Sequence, residues 1–475
     1  GALDAMPAAP PEVPSGWGPQ AGTFYALVGV AIAYGSYRRG RTPLISSVFA
    51  PLLGERKTTG PLGKTIDIFS ILVTLFGTAA SLGLGALQIG HGVEIVAGIG
   101  EVGNGVLIAV IAVLTACFIA SAASGVSKGI QALSNINSVA AIVLSLFVFF
   151  VGPTLLIMNM IPTIAFEFIN DLPQMMGRSG AQGEATEQFL ASWTIFYWAW
   201  WISWSPFVGM FIAKISRGRT IRQFVLVVIL VPSLISLVWF AIYGTTAIDQ
   251  QMRGADLPTT PPENVLFGVL ANLPLTEITN IVLMLLIAIF FITGADSASL
   301  IMGTMSQQGD PTPKRWVTVT WGTLVGVIAA VLLVTGAEGS GLRALQNVTI
   351  IAALPFAVIL VFMMVALMKD LRRDPLILRD AYGRKALRHS VRTGLEEYGD
   401  DFALVPSEYD HSQDEHPWVE EPSDEAFTEV FETASAPIIT VDADAALTDP
   451  DAPDGSFSEV DRGEKTGPNN TAVQR

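Results

Sequence analysis

Long apolar runs occupy most of the first 370 residues, and they predict helices that cross a membrane. A membrane-spanning helix needs about 20 consecutive apolar residues. Helices of soluble proteins carry a polar face, whereas these runs are apolar on all sides. Nine segments reach or approach the required length: 21–35, 66–90, 106–123, 139–161, 193–213, 224–247, 278–302, 316–335 and 348–368. The sequence therefore predicts an all-α polytopic membrane protein with about nine transmembrane helices.

The loops between these segments alternate in charge. Loops 36–65, 214–223 and 303–315 are basic, and between them lie three acidic loops, which contain Glu94, Glu167 and Asp249. By the positive-inside rule the basic loops and the C-terminus are cytoplasmic, which predicts a multi-pass protein of the cell membrane. An odd number of spans then puts the N-terminus outside. Because the chain starts at Gly1 without a signal peptide, we expect an odd number of upstream spans to be absent; the alternative is a short translocated N-terminus.

Charge separates a hydrophobic body from an acidic tail. The chain is 51% hydrophobic, only 15% charged and has a net charge of -15, and the part from Gly394 onward holds 22 acidic and 3 basic residues. This composition excludes an ordinary soluble enzyme, and the body is not basic enough for nucleic-acid binding. The predicted organisation is an extracytoplasmic segment (1–20), a transmembrane domain (21–368), a basic juxtamembrane helix near anionic lipid (369–393) and an acidic, disordered cytoplasmic tail (394–475).

Residues for catalysis or cofactor binding are not indicated. Cys117 is the only cysteine, which excludes disulfides within the chain and thiolate metal sites. The four histidines show no metal-ligand spacing, and the spans contain no nucleophile–base pair or paired catalytic carboxylates. The sequence therefore predicts no enzyme activity, no catalytic residue and no cofactor.

An aromatic run at 193–207 is the most informative stretch, with five tryptophans in twelve residues. At about 100° per residue, seven of its rings fall on one helical face. These are Trp193, Phe196, Tyr197, Trp200, Trp201, Trp204 and Phe207; Trp198 lies off the face. An interfacial belt spans a turn or two, whereas this face extends about 20 Å along a helix. It favours a cation–π cage for a quaternary ammonium group over simple packing. Trp17 and Tyr25 flank the first span and by themselves indicate only a membrane interface.

Polar residues inside the spans allow two interpretations each. Thr74, Thr78 and Ser81 form a hydroxyl stripe, which either bonds back to the helix carbonyls or provides oxygen ligands for a hard cation. Asp296 is an ionisable group in or near the bilayer, either a functional group or the cap of a helix that restarts after Gly294. Segment 162–178 is either an amphipathic helix on the outer surface or a plain loop.

From about Trp17 to Asp370 the chain resembles the betaine/carnitine/choline transporter family, most closely its osmoregulated, sodium-coupled glycine betaine transporters. The likeness rests on 193–210, on Ile215-Ser-Arg-Gly-Arg219 and on Thr293-Gly-Ala-Asp-Ser297, with further similarity at 74–85 and 345–349. It implies twelve spans built around two inverted five-helix repeats, of which the first three helices are absent here. It also implies a homotrimer, because segment 162–178 matches an outer helix involved in trimer contacts.

The resemblance also implies residue roles. Trp17, Tyr25 and Trp201 match a central aromatic cage, and Phe196, Trp200 and Trp204 match further aromatics along the substrate path. Thr74, Thr78 and Phe207 match one sodium site, and Phe290 and Thr293 match half of a second, whose other half is on an absent helix. Ser81 and Asp296 are additional candidate polar residues. Two positions depart from the family: Gly22 replaces a usual cage tryptophan, and Gly294 replaces a usual sodium-site serine.

These observations predict sodium-coupled uptake of a zwitterionic quaternary-ammonium compatible solute in the osmotic stress response. Glycine betaine is the expected type of solute, with ectoine and proline as alternatives because of Gly22. Na⁺ is the expected coupling ion. Two other interpretations remain: a carnitine- or choline-type carrier or exchanger, and a membrane sensor that binds solute without carrying it. An inactive fragment is a further alternative.

Overall fold

The computed structural model describes residues 18–98, 100, 102–124, 127–255, 257, 264–335 and 341–399. In these ranges the chain is helical and contains no β-strand. The long helices are α1 (Pro19–Ala33), α2 (Pro61–Ala97), α3 (Asn104–Ser124), α4 (Ser127–Val151), α5 (Thr154–Met176), α6 (Phe196–Ile215), α7 (Ile221–Met252), α8 (Thr276–Ser306), α9 (Arg315–Thr335), α10 (Gly341–Arg372) and α11 (Pro375–Tyr398).

Short helical segments join some of these helices. A π-helical turn extends α1 (Tyr34–Arg38) and another precedes α6 (Leu190–Ile195). The other short segments are Ser46–Phe49, Ala50–Leu53, Glu55–Thr58, Gly180–Gln182, Glu184–Phe189 and Val265–Ala271.

Eight helices of the described residues are long and apolar enough to cross a membrane: α2, α3, α4, α5, α7, α8, α9 and α10. Helices α1 and α6, which hold the first and fifth predicted spans, are outside this set. Helix α1 has only 15 residues, and α6 has 20 residues that are rich in tryptophan. The prediction of an all-α polytopic membrane protein is therefore confirmed.

A break at Gly152 and Pro153 corrects the predicted span 139–161. Helix α4 ends at Val151 and α5 begins at Thr154, because Pro153 has no N–H to continue the hydrogen-bond ladder. The Gly152 N–H ends the ladder on the Val148 carbonyl at 2.8 Å, and the Thr154 hydroxyl donates to the Phe149 carbonyl at 2.8 Å. The amphipathic segment 162–178 is thus the second half of a longer helix and not a plain loop.

Helix α2 lies at the centre of the bundle and packs against α6, α8, α9 and α10. Its glycines allow close approach, since small residues let membrane helices pack backbone to backbone. A Cβ atom at Gly77 would overlap Ser203 of α6, and one at Gly85 would overlap the Phe291 ring of α8. Helix α1 packs against α6 and α7, and at the crossing with α6 a Cβ atom at Gly209 would lie 3.1 Å from the Gly29 nitrogen.

A charged cluster joins α10 to the end of α1. The carboxylate of Asp370, whose side chain is 8% exposed, accepts two hydrogen bonds from Arg41, at 2.6 and 3.2 Å. Arg39 lies 3.2 Å from the same carboxylate and also donates to the Asp370 carbonyl at 3.1 Å. The Tyr34 hydroxyl donates to that carbonyl at 3.4 Å. The first and tenth helices are therefore held together at this end of the bundle.

The chain divides into two compact units after Arg372. Within the second unit, α11 begins with an Asp374 cap, whose carboxylate accepts the Leu376 N–H at 2.9 Å. Its end at Tyr398 lies beyond the predicted limit of the basic helix at 393, and residues 400–475 of the predicted acidic tail lie outside the described residues.

Candidate functional site

The inner part of the aromatic run forms a continuous stack of rings, all buried except the partly buried Trp204. Trp200 lies at its centre, stacked on Phe196 with centroids 5.6 Å apart and on Trp201 with centroids 5.7 Å apart. Trp204 meets the Trp200 ring edge-on at 6.3 Å, and Phe207 follows at 5.4 Å from Trp204. Such offset and edge-on contacts are the favoured geometries of aromatic pairs. The predicted aromatic face therefore points into the bundle over this part of α6.

The outer part of the run behaves differently. Trp193 is 46% exposed and stacks on Tyr197 at a centroid distance of 5.9 Å. Trp198, which lies off the predicted face, packs edge-on against Phe24 of α1 at 6.0 Å. Trp198 therefore packs against α1 and is not part of the stack.

Helix α1 brings Tyr25 to the stack. Its ring meets Trp201 edge-on, with centroids 6.1 Å apart and planes at 84°. The Tyr25 hydroxyl is buried and has no hydrogen-bond partner among the described residues. A buried hydroxyl without a partner carries a cost of about 1–3 kcal/mol, which makes this atom a candidate ligand contact. Trp17, the other predicted cage residue of this segment, lies outside the described residues.

Gly22 faces a neighbouring helix and not the rings. A Cβ atom at this position would lie 3.0 Å from the Ile229 Cα atom and 3.0 Å from the Val228 carbonyl oxygen, both on α7. A tryptophan in place of Gly22 would therefore press on the α7 backbone. The glycine that replaces the usual tryptophan of the family therefore allows α1 to lie close to α7.

The hydroxyl stripe of α2 is buried and bonds back along its own helix. Thr74 donates to the Ser70 carbonyl at 2.8 Å, Thr78 to the Thr74 carbonyl at 2.8 Å and Ser81 to the Gly77 carbonyl at 3.0 Å. In all three residues the hydroxyl hydrogen is therefore used in a bond to the same helix, as the back-bonding interpretation predicts. A hydroxyl that donates keeps two lone pairs, so these oxygens can still act as ligands of a cation.

The stripe is also in contact with the aromatic stack. The indole N–H of Trp200 donates to the Ser81 hydroxyl at 2.8 Å, and that of Trp204 donates to the Gly77 carbonyl at 3.3 Å. A cavity of about 10 Å³, room for about one water molecule, lies beside them. Its walls are Thr78, Ser81, Leu82, Trp204, Phe290, Phe291, Gly294 and Ala295. The structure thus brings α2, α6 and α8 together at one point.

The candidates on α8 are less enclosed. Phe290 is 49% exposed, and the partly buried Thr293 hydroxyl lies 2.9 Å from the Ile289 carbonyl and 3.1 Å from the Phe290 carbonyl. The predicted interruption at Gly294 is wrong, because α8 runs unbroken from Thr276 to Ser306. Asp296 is therefore a partly buried mid-helix residue and not an N-cap.

A larger crevice lies elsewhere, between α4 and α8, with a volume of about 560 Å³. Its walls are almost entirely apolar: Ile136, Val139, Val143, Phe147, Ile278 and Val282 are among them. Such a lining offers a zwitterion no charged partner and only one aromatic ring, that of Phe147. The aromatic stack is therefore the better candidate site, despite the smaller cavity beside it.

Sequence reasoning missed two functional candidates. The first is the Gly77 carbonyl, which accepts a hydrogen bond from the Trp204 indole N–H. The sequence indicates this contact only by a glycine next to Thr78. The cluster of Tyr34, Arg39, Arg41 and Asp370 joins residues about 330 positions apart, as the Arg41–Asp370 separation of 329 shows. No local pattern indicates such a pairing.

The long apolar helices of the described residues define a multi-pass membrane protein, and a cluster of aromatic and hydroxyl side chains lies between them. Comparison with known proteins gives the family. A profile of the betaine/carnitine/choline family transporters matches residues 12–376, and the chain belongs to this family.

Three relatives show the extent of the likeness. The betaine/ectoine transporter LcoP of Corynebacterium glutamicum is 52% identical over 390 residues, which are 82% of this chain and 62% of the relative. The glycine betaine transporter OpuD of Bacillus subtilis is 44% identical over 359 residues, 75% of this chain and 69% of the relative. A glycine betaine/proline/choline/ectoine transporter of Vibrio parahaemolyticus is 38% identical over 366 residues, 75% and 63% of the two chains. The chain thus spans about 62% of the length of LcoP.

Proposed function

We propose that this protein takes up a zwitterionic quaternary-ammonium solute, and that sodium drives the uptake. The observation that carries the proposal is the buried Tyr25 hydroxyl beside Trp201, which has no hydrogen-bond partner among the described residues. Aromatic faces attract a quaternary ammonium group by about 0.5–2 kcal/mol each. A phenolic O–H can donate to an anionic group of the same solute. One zwitterion can therefore engage both features.

The hydroxyls of Thr74 and Thr78 on α2, together with Phe207 of α6, are the proposed sodium site. Hydroxyl and carbonyl oxygens are the ligands that hard cations prefer. Thr293 and Phe290 on α8 are proposed as part of a second site. One charge that crosses 100 mV supplies about 2.3 kcal/mol, and a tenfold sodium gradient adds about 1.4 kcal/mol. Two ions would supply roughly 7 kcal/mol, enough for an accumulation on the order of 10⁵-fold.

The names of the relatives support the choice of solute. They describe transporters of betaine and ectoine, of glycine betaine, and of glycine betaine, proline, choline and ectoine. We infer that glycine betaine, which carries a quaternary ammonium group, is the solute here, and that uptake serves as protection against osmotic stress. Ectoine, a zwitterion without a quaternary nitrogen, is the second candidate, because the name of LcoP describes a transporter of betaine and ectoine.

Orientation, lipid contact and assembly are part of the same proposal. Arg39, Arg41 and Lys369 lie on or beside one end of the bundle, which favours a cytoplasmic position for that end and for the C-terminus. The basic residues of α11 would attract anionic lipid. Helix α5 exposes large apolar side chains such as Leu155 and Phe166, which suits contacts between copies in a homotrimer.

The test is uptake of labelled glycine betaine by proteoliposomes that contain the full-length protein, with and without a sodium gradient. We expect labelled glycine betaine to accumulate only in the presence of the sodium gradient, and unlabelled ectoine to inhibit this uptake by competition. Tyr25→Phe is expected to raise the half-saturating solute concentration about fivefold, since one buried hydrogen bond is worth about 1 kcal/mol. Tyr243→Phe is the matched control, because Tyr243 is buried against Ser145 (3.4 Å) away from the stack.

Other outcomes would contradict the proposal in different ways. Sodium-independent exchange of carnitine or choline would identify an exchanger. Saturable binding without accumulation would identify a sensor. An unchanged half-saturating concentration in Tyr25→Phe would remove the observation on which the site rests.

A further inference from the structure

Two of the three indole N–H groups of the aromatic stack, those of Trp200 and Trp204, are held by one short segment of α2. Trp200 donates to the Ser81 hydroxyl at 2.8 Å, and Trp204 donates to the Gly77 carbonyl at 3.3 Å. These two acceptors are one helical turn apart, and Ser81 itself donates to the Gly77 carbonyl at 3.0 Å. A chain of hydrogen bonds therefore runs from Trp200 through Ser81 to the carbonyl that also holds Trp204.

The contact is close because of Gly77. A Cβ atom at this position would overlap the Ser203 side chain and lie 3.2 Å from Cδ1 of the Trp204 ring. Ser203 is fully buried and donates to the Trp200 carbonyl at 2.6 Å, so its hydroxyl is already used within α6. The missing side chain at Gly77 thus lets α6 approach until the indole N–H groups reach α2.

Trp200 is the ring whose orientation matters most. It contacts Phe196, Trp201 and Trp204, and Trp201 in turn contacts Tyr25. The planes of the Trp200 and Trp201 rings are nearly parallel, with an angle of 13° between them, and rotation of the Trp200 side chain would break this alignment. A hydrogen bond from a buried N–H opposes that rotation, because the rotated indole would leave its N–H without a partner.

We propose that Ser81 is a positioning residue for solute binding. Its hydroxyl fixes the Trp200 ring, and through the stack it fixes the Trp201 face that meets Tyr25. Ser81 acts on the solute through Trp200 and not by direct contact. This inference rests on the proposed function, since it assumes that the stack binds the transported solute.

A purely structural role for Ser81 predicts a different result. Ser70 provides the comparison, because it is fully buried on the same helix and donates back to the Ile66 carbonyl at 2.8 Å. No indole is bonded to it in the described structure. If buried hydroxyls of α2 only stabilise the helix, Ser70→Ala and Ser81→Ala should have the same effect.

The experiment measures KM and kcat for glycine betaine uptake, and the half-saturating sodium concentration, in proteoliposomes of the full-length protein. Ser81→Ala is expected to raise KM about five- to tenfold, which corresponds to a lost buried hydrogen bond. We expect kcat and the sodium concentration to change less than twofold, because Thr74 and Thr78 keep their hydroxyls. Ser81→Thr, which keeps the acceptor oxygen, should restore most of the affinity, and Ser70→Ala should leave KM unchanged.

Trp200→Phe completes a double-mutant cycle, since phenylalanine keeps an aromatic ring and removes the N–H. In this background Ser81→Ala should add less than twofold to KM. The full five- to tenfold effect there, or a wild-type KM in the Ser81→Ala single variant, would overturn the positioning role. If Ser81→Ala is not recovered in folded form, Trp200→Phe alone must raise KM with an unchanged sodium dependence, and a wild-type KM would overturn the inference.

Calorimetric measurement of solute binding distinguishes a failure of the proposed function from a failure of the role of Ser81. No binding of glycine betaine or ectoine by the wild type would contradict the proposed function. Normal wild-type binding together with an unchanged affinity of the Ser81→Ala variant would contradict only the role of Ser81.

Discussion

The two groups of predicted sodium ligands differ in how the fold surrounds them. Thr74 and Thr78 are 0% and 4% exposed, and they lie on the central helix α2 near the stack of α6. Phe290 on α8 is 49% exposed, and Thr293 beside it is only partly buried. The first group is enclosed by neighbouring helices of the described chain, whereas the second has one open side.

The difference shows what buries a hydroxyl in a membrane helix. All of these hydroxyls donate back to carbonyls, so the hydrogen bond alone does not separate the two groups. What separates them is the glycine-lined packing of α2, which allows α6 and α8 to close over its side chains. A cation that binds at an enclosed site meets ligands that are already oriented, and less of the binding energy is spent on ordering them.

The junction between the two groups gives the largest expected effect. Gly85→Ala places a methyl group inside the Phe291 ring and should force α8 away from α2, at a cost of about 3 kcal/mol of stability. Thermal unfolding in detergent measures this loss. Gly244→Ala is the control, because no atom lies within 4 Å of its Cβ position and an alanine there should stabilise α7 slightly. Equal melting temperatures for the two variants would show that the junction is not tightly packed.

Removal of a hydroxyl from the enclosed group should have the next largest effect. Thr78→Ala is expected to raise the half-saturating sodium concentration about 30-fold, which corresponds to roughly 2 kcal/mol for one lost ligand in a buried site. Sodium titration of solute uptake measures it. Thr246→Ala is the matched control, since Thr246 is equally buried and donates back to Ile242 at 2.7 Å. If the half-saturating sodium concentration rose equally in both variants, the effect would be one on helix stability and not on a sodium ligand.

The ring that links the aromatic stack to α1 gives the third largest expected effect. Trp201→Ala removes a ring that touches both Trp200 and Tyr25, and we expect the half-saturating solute concentration to rise at least tenfold. Competition binding with labelled glycine betaine measures it. Trp239→Ala is the comparison, because Trp239 forms its own pair with Tyr243 at 4.4 Å. An unchanged affinity in Trp201→Ala would count against the cage.

The open group should respond least. Thr293→Ala is expected to raise the half-saturating sodium concentration only about threefold, because a partly exposed ligand can be replaced by water. Thr320→Ala on α9, whose exposed hydroxyl donates back to Trp316 at 2.8 Å, should have no effect. A Thr293→Ala effect larger than that of Thr78→Ala would reverse the comparison between the two groups.

Hydropathy alone predicts the later helices well. The predicted span 224–247 lies within α7, 278–302 lies within α8, and 316–335 differs from α9 by one residue. The break at Pro153 was missed because proline and glycine do not interrupt an apolar run. The opposite error occurred at Gly294, where a glycine indicated an interruption although the α8 hydrogen-bond ladder continues through it.

Helical periodicity predicts which rings of α6 share a face, and Phe196, Trp200, Trp201, Trp204 and Phe207 do form one stack. It could not predict that Ser81 and Gly77 hold the indole N–H groups, since that depends on where α2 and α6 cross. The roles of the site residues in solute and sodium binding came from the resemblance and stay predictions.

The burial of the Asp370 carboxylate determines how its ion pairs with Arg39 and Arg41 respond to a high salt concentration. Dissolved salt weakens attraction between exposed charges beyond about 8–10 Å, but mobile counterions have little access to a side chain that is 8% exposed and lies against two guanidinium groups. The ion pairs that connect α10 to the end of α1 should therefore be weakened little when the cell loses water and its internal salt concentration rises. Exposed pairs such as Arg392 and Glu396 have no such shelter.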